Sequence, residues 1–107
     1  MKLTEYQEEV LTFSEPFYDD LSHCALGLAG EAGEFCEHVK KCGRDRAWEL
    51  GSLDRARLKL ELGDIMFNVC AAARVLGFTL DEVARANIEK YADRARRGVL
   101  HGEGDMR

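Results

Sequence analysis

Apolar residues recur along this chain at steps of three and four, and almost nowhere at steps of two. Leu21, Ala25, Leu28, Ala32, Phe35, Val39 and Cys42 alternate between the two steps, the seam spacing of packed helices. Leu58, Leu62, Ile65, Val69, Ala72 and Leu76 repeat the pattern further along. A single proline, Pro16, and the scarcity of β-branched runs agree with an all-α chain. Thr4-Glu5-Tyr6-Gln7 reads as a capping box opening a short first helix to about Phe13, and SEPFYDD as the loop after it. A second helix is expected from about Leu21 to Lys41, stopped by Gly43. After the polar connector GRDRAWELGS, Ser52 is the expected N-cap of a third helix ending at Gly77. Thr79-Leu80-Asp81-Glu82 is a second capping box, opening a fourth helix that stops at Gly98.

Residues 98–107, GVLHGEGDMR, hold three glycines and no helical period, so they are expected to form a tail on a single domain spanning 1–107. Four helices joined by short connectors predict an antiparallel four-helix bundle. A chain of this length encloses only a modest core, which favours pairing with another copy.

The composition, 46% hydrophobic and 33% charged, is that of a soluble globular chain. A net charge of −5 speaks against a nucleic-acid polymer as partner, because such a surface needs a basic patch. The opening MKLTEYQEEV is too acidic and too broken for a signal peptide, and no apolar run approaches a membrane span. We therefore expect a cytoplasmic chain that engages no membrane. Cys24, Cys36, Cys42 and Cys70 contain no C-x-x-C pair and are expected as reduced, mostly buried thiols. Cys36, His38 and Cys42 match no common zinc spacing.

The chemistry lies beside the seams. Glu31 and Glu34 sit three apart on one flank of the Leu28–Phe35–Val39 stripe, and Glu61 and Asp64 repeat that register beside Leu58, Ile65 and Val69. The strings EAGEF and ELGDI align as acid, any residue, glycine, acid, apolar. Packing the two helices would gather four carboxylates, whose mutual repulsion calls for a hard divalent cation such as Mg²⁺, with Mn²⁺ able to substitute. The alternative reading is two solvated acidic faces.

Asn87, Lys90, Arg94 and Arg97 share an arc of the fourth helix, a set suited to a polyphosphate or simply to a solvated helix C-terminus. Arg57 and Asn68 lie on the acid arc of the third helix, as supporting partners or substrate contacts. Trp48 can stack on a base or anchor packing. Gly27 and Gly30 face the acid side, where a ligand or chain can approach, whereas Gly33 and Gly63 point toward close packing with another helix or subunit. A di-iron bundle would need Glu-x-x-His pairs, and neither His23 nor His38 supplies one.

The string ALGLAGEAGEFCEHVKK, with 26 residues between Glu34 and the following Glu-Leu-Gly-Asp, resembles the MazG-like branch of the all-α nucleoside triphosphate pyrophosphohydrolases. Tyr6-Gln7, ANIEKYADR and the ending RRGVLHGEGDMR extend the likeness over nearly the whole chain. The resemblance implies Mg²⁺-dependent hydrolysis of a nucleoside triphosphate to the monophosphate and pyrophosphate. It implies Glu31, Glu34, Glu61 and Asp64 as metal ligands, with one helix-two glutamate, preferably Glu34, activating water. Asn87, Lys90 and Arg94 would face the substrate. It also implies a homodimer or homotetramer with sites near subunit contacts. Some relatives carry a further acid just before the E-x-x-E, where this chain has Gly30. A non-catalytic helical interaction module is the other functional class compatible with these residues.

Overall fold

The structure, a computed structural model, describes residues 1–107 and contains no strand. It has four helices, α1 (Leu3–Leu11), α2 (Leu21–Arg46), α3 (Ser52–Val75) and α4 (Leu80–Arg97), with a 3₁₀ turn at Pro16–Asp19 between α1 and α2. The all-α expectation and the number of helices hold. Several ends differ for local reasons. The first helix starts at Leu3 instead of at a Thr4 cap: the Lys2 backbone N–H donates to Glu5 at 3.3 Å. Ser52 is the first helical residue of α3, and the flanking Gly51 N–H donates to Asp54 at 3.0 Å.

The second helix does not stop at Gly43. It continues to Arg46, where Ala47 (φ 53°) and Trp48 (φ 69°) both take the left-handed region and reverse the chain. Gly43 serves that reversal from inside the helix, because any Cβ there would overlap the Trp48 ring. The ends of α4 follow the sequence. Thr79 Oγ1 accepts from the Glu82 N–H at 3.1 Å, and Gly98 (φ 74°) lets Val99 N–H reach the Arg94 carbonyl at 2.9 Å.

The α2–α3 hairpin is the main packed unit. The buried core lies toward its open end, where Leu11, Cys24, Cys70, Ala71 and Leu80 meet. Tyr18 from the 3₁₀ turn stacks edge-on against Phe67 at 5.0 Å. Gln7 ties α1 to this corner. Its Nε2 donates to the carbonyls of Cys70 (3.3 Å) and Phe78 (3.2 Å), and its Oε1 accepts from Leu80 N–H at 2.8 Å. Gln7 is thus a cap for α4 supplied by a distant helix, satisfying a donor that α4 cannot satisfy itself.

The chain turns by 99° between α3 and α4, and α4 does not reach α2. The radius of gyration, 16.5 Å, exceeds the roughly 13 Å of a compact domain of this length. The expected seam residues Leu21, Leu62 and Leu76 are 42%, 49% and 55% exposed, so the stripes are not covered within one chain. On α2, Cys24, Gly27, Glu31 and His38 turn toward α3 beside the seam residue Cys42, so Glu31 and Glu61 lie at the helix contact while Glu34 and Asp64 stay exposed at its margin. No single helix is long and apolar enough to cross a membrane.

Candidate functional site

The antiparallel course of α2 and α3 sets the first acid pair opposite the second. Oxygens of Glu31, Glu34 and Glu61 all lie within 4.8 Å of one another. Asp64, exposed and one turn beyond Glu61, stands close enough for its charge to act on Glu31. Burial, then repulsion from Glu34, Asp64 and Glu61, raises the Glu31 carboxyl above the ordinary glutamate range. Glu31 and Glu61 each hold one oxygen, Oε2, buried without any hydrogen-bond partner. Buried carboxylate oxygens without donors are costly unless a cation takes them, and a hard divalent ion fits this donor set.

Two neighbours complete the cage. His38 Nδ1 lies 3.1 Å from Glu61 Oε1, within ion-pair range but not aligned as a hydrogen bond. Spacing along α2 put His38 merely one turn past Glu34, and only the facing helix gives it Glu61. Asn68, 2% exposed, donates through Nδ2 to the Asp64 carbonyl at 3.0 Å and leaves Oδ1 unpartnered. That oxygen occupies the space a Gly27 side chain would fill. Gly27 therefore permits close approach, as its side of the helix suggested. Gly30, Gly33 and Gly63 have nothing within 4 Å of an added Cβ, so the packing expected at Gly33 and Gly63 is not made within one chain.

The proposed substrate residues are distributed differently. Asn87 borders an apolar groove with Ile65 and Met66, the two residues after Asp64. Lys90 pairs with Asp105 at 3.4 Å. Arg94, 3% exposed, donates to the Asp105 carbonyl at 2.8 Å and pairs with its carboxylate at 3.3 Å. Arg97 pairs with Asp93 at 2.8 Å and donates to the Arg107 carbonyl at 2.5 Å. Residues 98–107 thus fold back over the basic arc of α4, and no basic residue of α4 meets the α2 acids within this chain. Trp48 packs over Gly43 with 67% of its surface open. Cys36 is exposed while Cys42 Sγ is buried against the Glu49 carbonyl at 3.0 Å, so these two do not converge with His38 on one point.

A helical hairpin with an E-x-x-E helix facing an E-x-x-D helix, one acid of each pair turned into the contact, defines a class of all-α proteins built around a carboxylate cluster. Within that class, the model of the MazG nucleotide pyrophosphohydrolase domain matches residues 20–99, taking in all of α2 and α3 and all of α4, and the chain belongs to that family. It is also 40% identical over 89 residues to the Gene 37 protein of Mycobacterium phage L5, an alignment covering 83% of this chain and 78% of the phage protein. No solved structure matches the chain.

Proposed function

We propose that this protein hydrolyses (deoxy)nucleoside triphosphates to the monophosphate and pyrophosphate in a Mg²⁺-dependent reaction, with Mn²⁺ able to substitute, and serves nucleotide-pool sanitising or control in the cytoplasm. One observation carries the reading: three carboxylates converge within 4.8 Å and two of their oxygens are buried without donors. Glu31, Glu34, Glu61 and Asp64 would hold the ion. When bound, it supplies positive charge against the phosphate oxygens and acidifies water.

The chain's own groups do the rest. Of the three converging carboxylates Glu34 is the exposed one, which a water can approach, so we assign it the proton of the attacking water. The water oxygen bonds to the α-phosphorus, the bond from that phosphorus to the bridging oxygen breaks, and pyrophosphate leaves. Glu31 and Glu61, held between the helices, keep their geometry during the reaction. Asn87, Lys90, Arg94 and Arg97 are proposed to bind substrate, with Trp48 near the base. Because α4 does not reach α2 within a chain, we infer that a homodimer or homotetramer brings a neighbouring α4 to each cage. The half-exposed seam residues support that assembly.

The test is pyrophosphate release across a panel of standard and modified dNTPs, with and without Mg²⁺. Glu34→Gln and Asp64→Asn should each abolish turnover while the helical circular-dichroism signal persists. Full activity in both variants would remove the assignment, and no turnover of any nucleotide by the unmodified protein would favour a non-catalytic helical module.

A further inference from the structure

A cavity of about 140 Å³ lies at the closed end of the α2–α3 hairpin, and two of its cations have no partner. His38, Lys41 and Arg46 line it from α2, and Asp54 and Arg57 from α3. The acids in its wall are already engaged. Asp45 takes Arg44 through two hydrogen bonds, at 2.6 and 2.9 Å, and Asp54 takes Arg46 at 2.6 Å and the Gly51 N–H at 3.0 Å. Lys41 and Arg57 make no ion pair, although each has acidic neighbours on its own helix. Glu37 is held by Lys40 at 3.2 Å and Glu61 faces His38, so both cationic heads are left to the cavity.

The cavity joins the carboxylate cage. His38 lines it, lies 3.1 Å from Glu61, and shares with Lys41 a shallow recess bordered by Glu34 and Glu37. Along the helices, Glu34 to Lys41 spans seven residues and Glu61 to Arg57 four, roughly 10 and 6 Å at 1.5 Å per residue. In the other direction the hairpin is shut one turn away, where Asn68 fills the space over Gly27. A phosphate chain anchored at the cage therefore has an open course along the hairpin toward His38, Lys41 and Arg57.

From this geometry we infer that Lys41 and Arg57 form an anion subsite for the pyrophosphate end of the substrate, with His38 as the wall between subsite and cage. The assignment rests on the pyrophosphohydrolase reading above. It names the part of the chain that holds the β- and γ-phosphates before cleavage and the leaving pyrophosphate after it. The nucleoside and its α-phosphate lie on the cage side and do not touch these cations.

Calorimetric titration with inorganic pyrophosphate and with a nucleoside monophosphate, both in Mg²⁺, tests it on the full chain. Both side chains are exposed and unbonded, so Lys41→Gln with Arg57→Gln should leave the helical signal unchanged. Loss of a charged hydrogen bond weakens binding by roughly tenfold or more, so the double variant should lose at least that much pyrophosphate affinity. Monophosphate affinity should stay within about twofold, and Lys41→Arg with Arg57→Lys should restore most pyrophosphate binding. Unchanged pyrophosphate affinity in the Gln variant overturns the subsite, and so does an equal loss for both ligands. If the unmodified protein hydrolyses no nucleotide yet loses pyrophosphate binding in the variant, the activity reading fails and the subsite stands. Turnover with unaltered pyrophosphate binding gives the reverse.

Discussion

Replacing Glu31 by glutamine should stabilise the metal-free protein and remove its response to Mg²⁺. The oxygens of Glu31, Glu34 and Glu61 lie within 4.8 Å of one another. At that separation a pair of like charges repels by about 3.5 kcal/mol at an effective dielectric of 20, and by about 0.9 kcal/mol in water. Glu34 is exposed, so its repulsion falls near the lower figure, whereas Glu61, 13% exposed, lies nearer the upper one. Burial, and then this repulsion, hold the Glu31 carboxyl above the ordinary glutamate range, so part of the penalty is relieved wherever it takes up a proton. The net relief in Glu31→Gln is then about 1–2 kcal/mol, or a rise in Tm of roughly 5–10 °C in EDTA. A bound ion reverses the order, since saturation at 100 times Kd adds about 2.7 kcal/mol to the unmodified protein and little to the variant.

The pH dependence has a definite sign. A carboxyl raised in the folded state binds more protons folded than unfolded, so metal-free stability is fullest at or below the ordinary glutamate range. It declines as pH rises from there through the raised value, and Glu31→Gln should flatten that decline. Thermal unfolding followed by circular dichroism, in EDTA and in Mg²⁺ across this pH range, measures all three effects. A variant that melts at or below the unmodified protein in EDTA would refute the repulsion argument, and one that keeps the full Mg²⁺ shift would refute the ligand role.

Other substitutions probe the frame that holds the cage. Gly27→Ala forces a methyl onto Asn68 Oδ1 and should cost about 1–3 kcal/mol in chemical denaturation; adding Asn68→Ala should recover most of it, and strict additivity would show that the two do not compete for one space. Gln7→Leu removes three hydrogen bonds, to the Cys70 and Phe78 carbonyls and from Leu80 N–H, and leaves Leu80 N–H unsatisfied, with an expected loss of about 2–3 kcal/mol; a change under about 0.5 kcal/mol would mean the cap is dispensable. Thiol titration in native buffer should find Cys36 fast, with Cys24, Cys42 and Cys70 slow until denaturant is added; more than one fast thiol would contradict the burial described.

Much of this protein is legible one residue at a time. The steps of three and four along the apolar series specify helices, and Thr79 and Gly98 mark the ends of α4, because these signals act within a turn or two of backbone. The matching acid registers likewise follow from helical period alone. What lay beyond the sequence depended on which face met which. The apolar stripes predicted a buried seam with acids at its edge, yet Glu31 and Glu61 turn into the α2–α3 contact, Glu34 and Asp64 stay exposed, and Leu21, Leu62 and Leu76 are left open. The pairings His38 with Glu61, Gln7 with the start of α4, and Asn68 with Gly27 join residues too far apart in sequence for any local pattern to link. Gly43, which reads as a helix stop, is instead the seat for Trp48, because a reversal five residues later brings the ring back over it. Helical period determines which acids share a side of each helix. Only the packing of the two helices decides that those acids face one another, with one oxygen each of Glu31 and Glu61 buried and no donor to satisfy it.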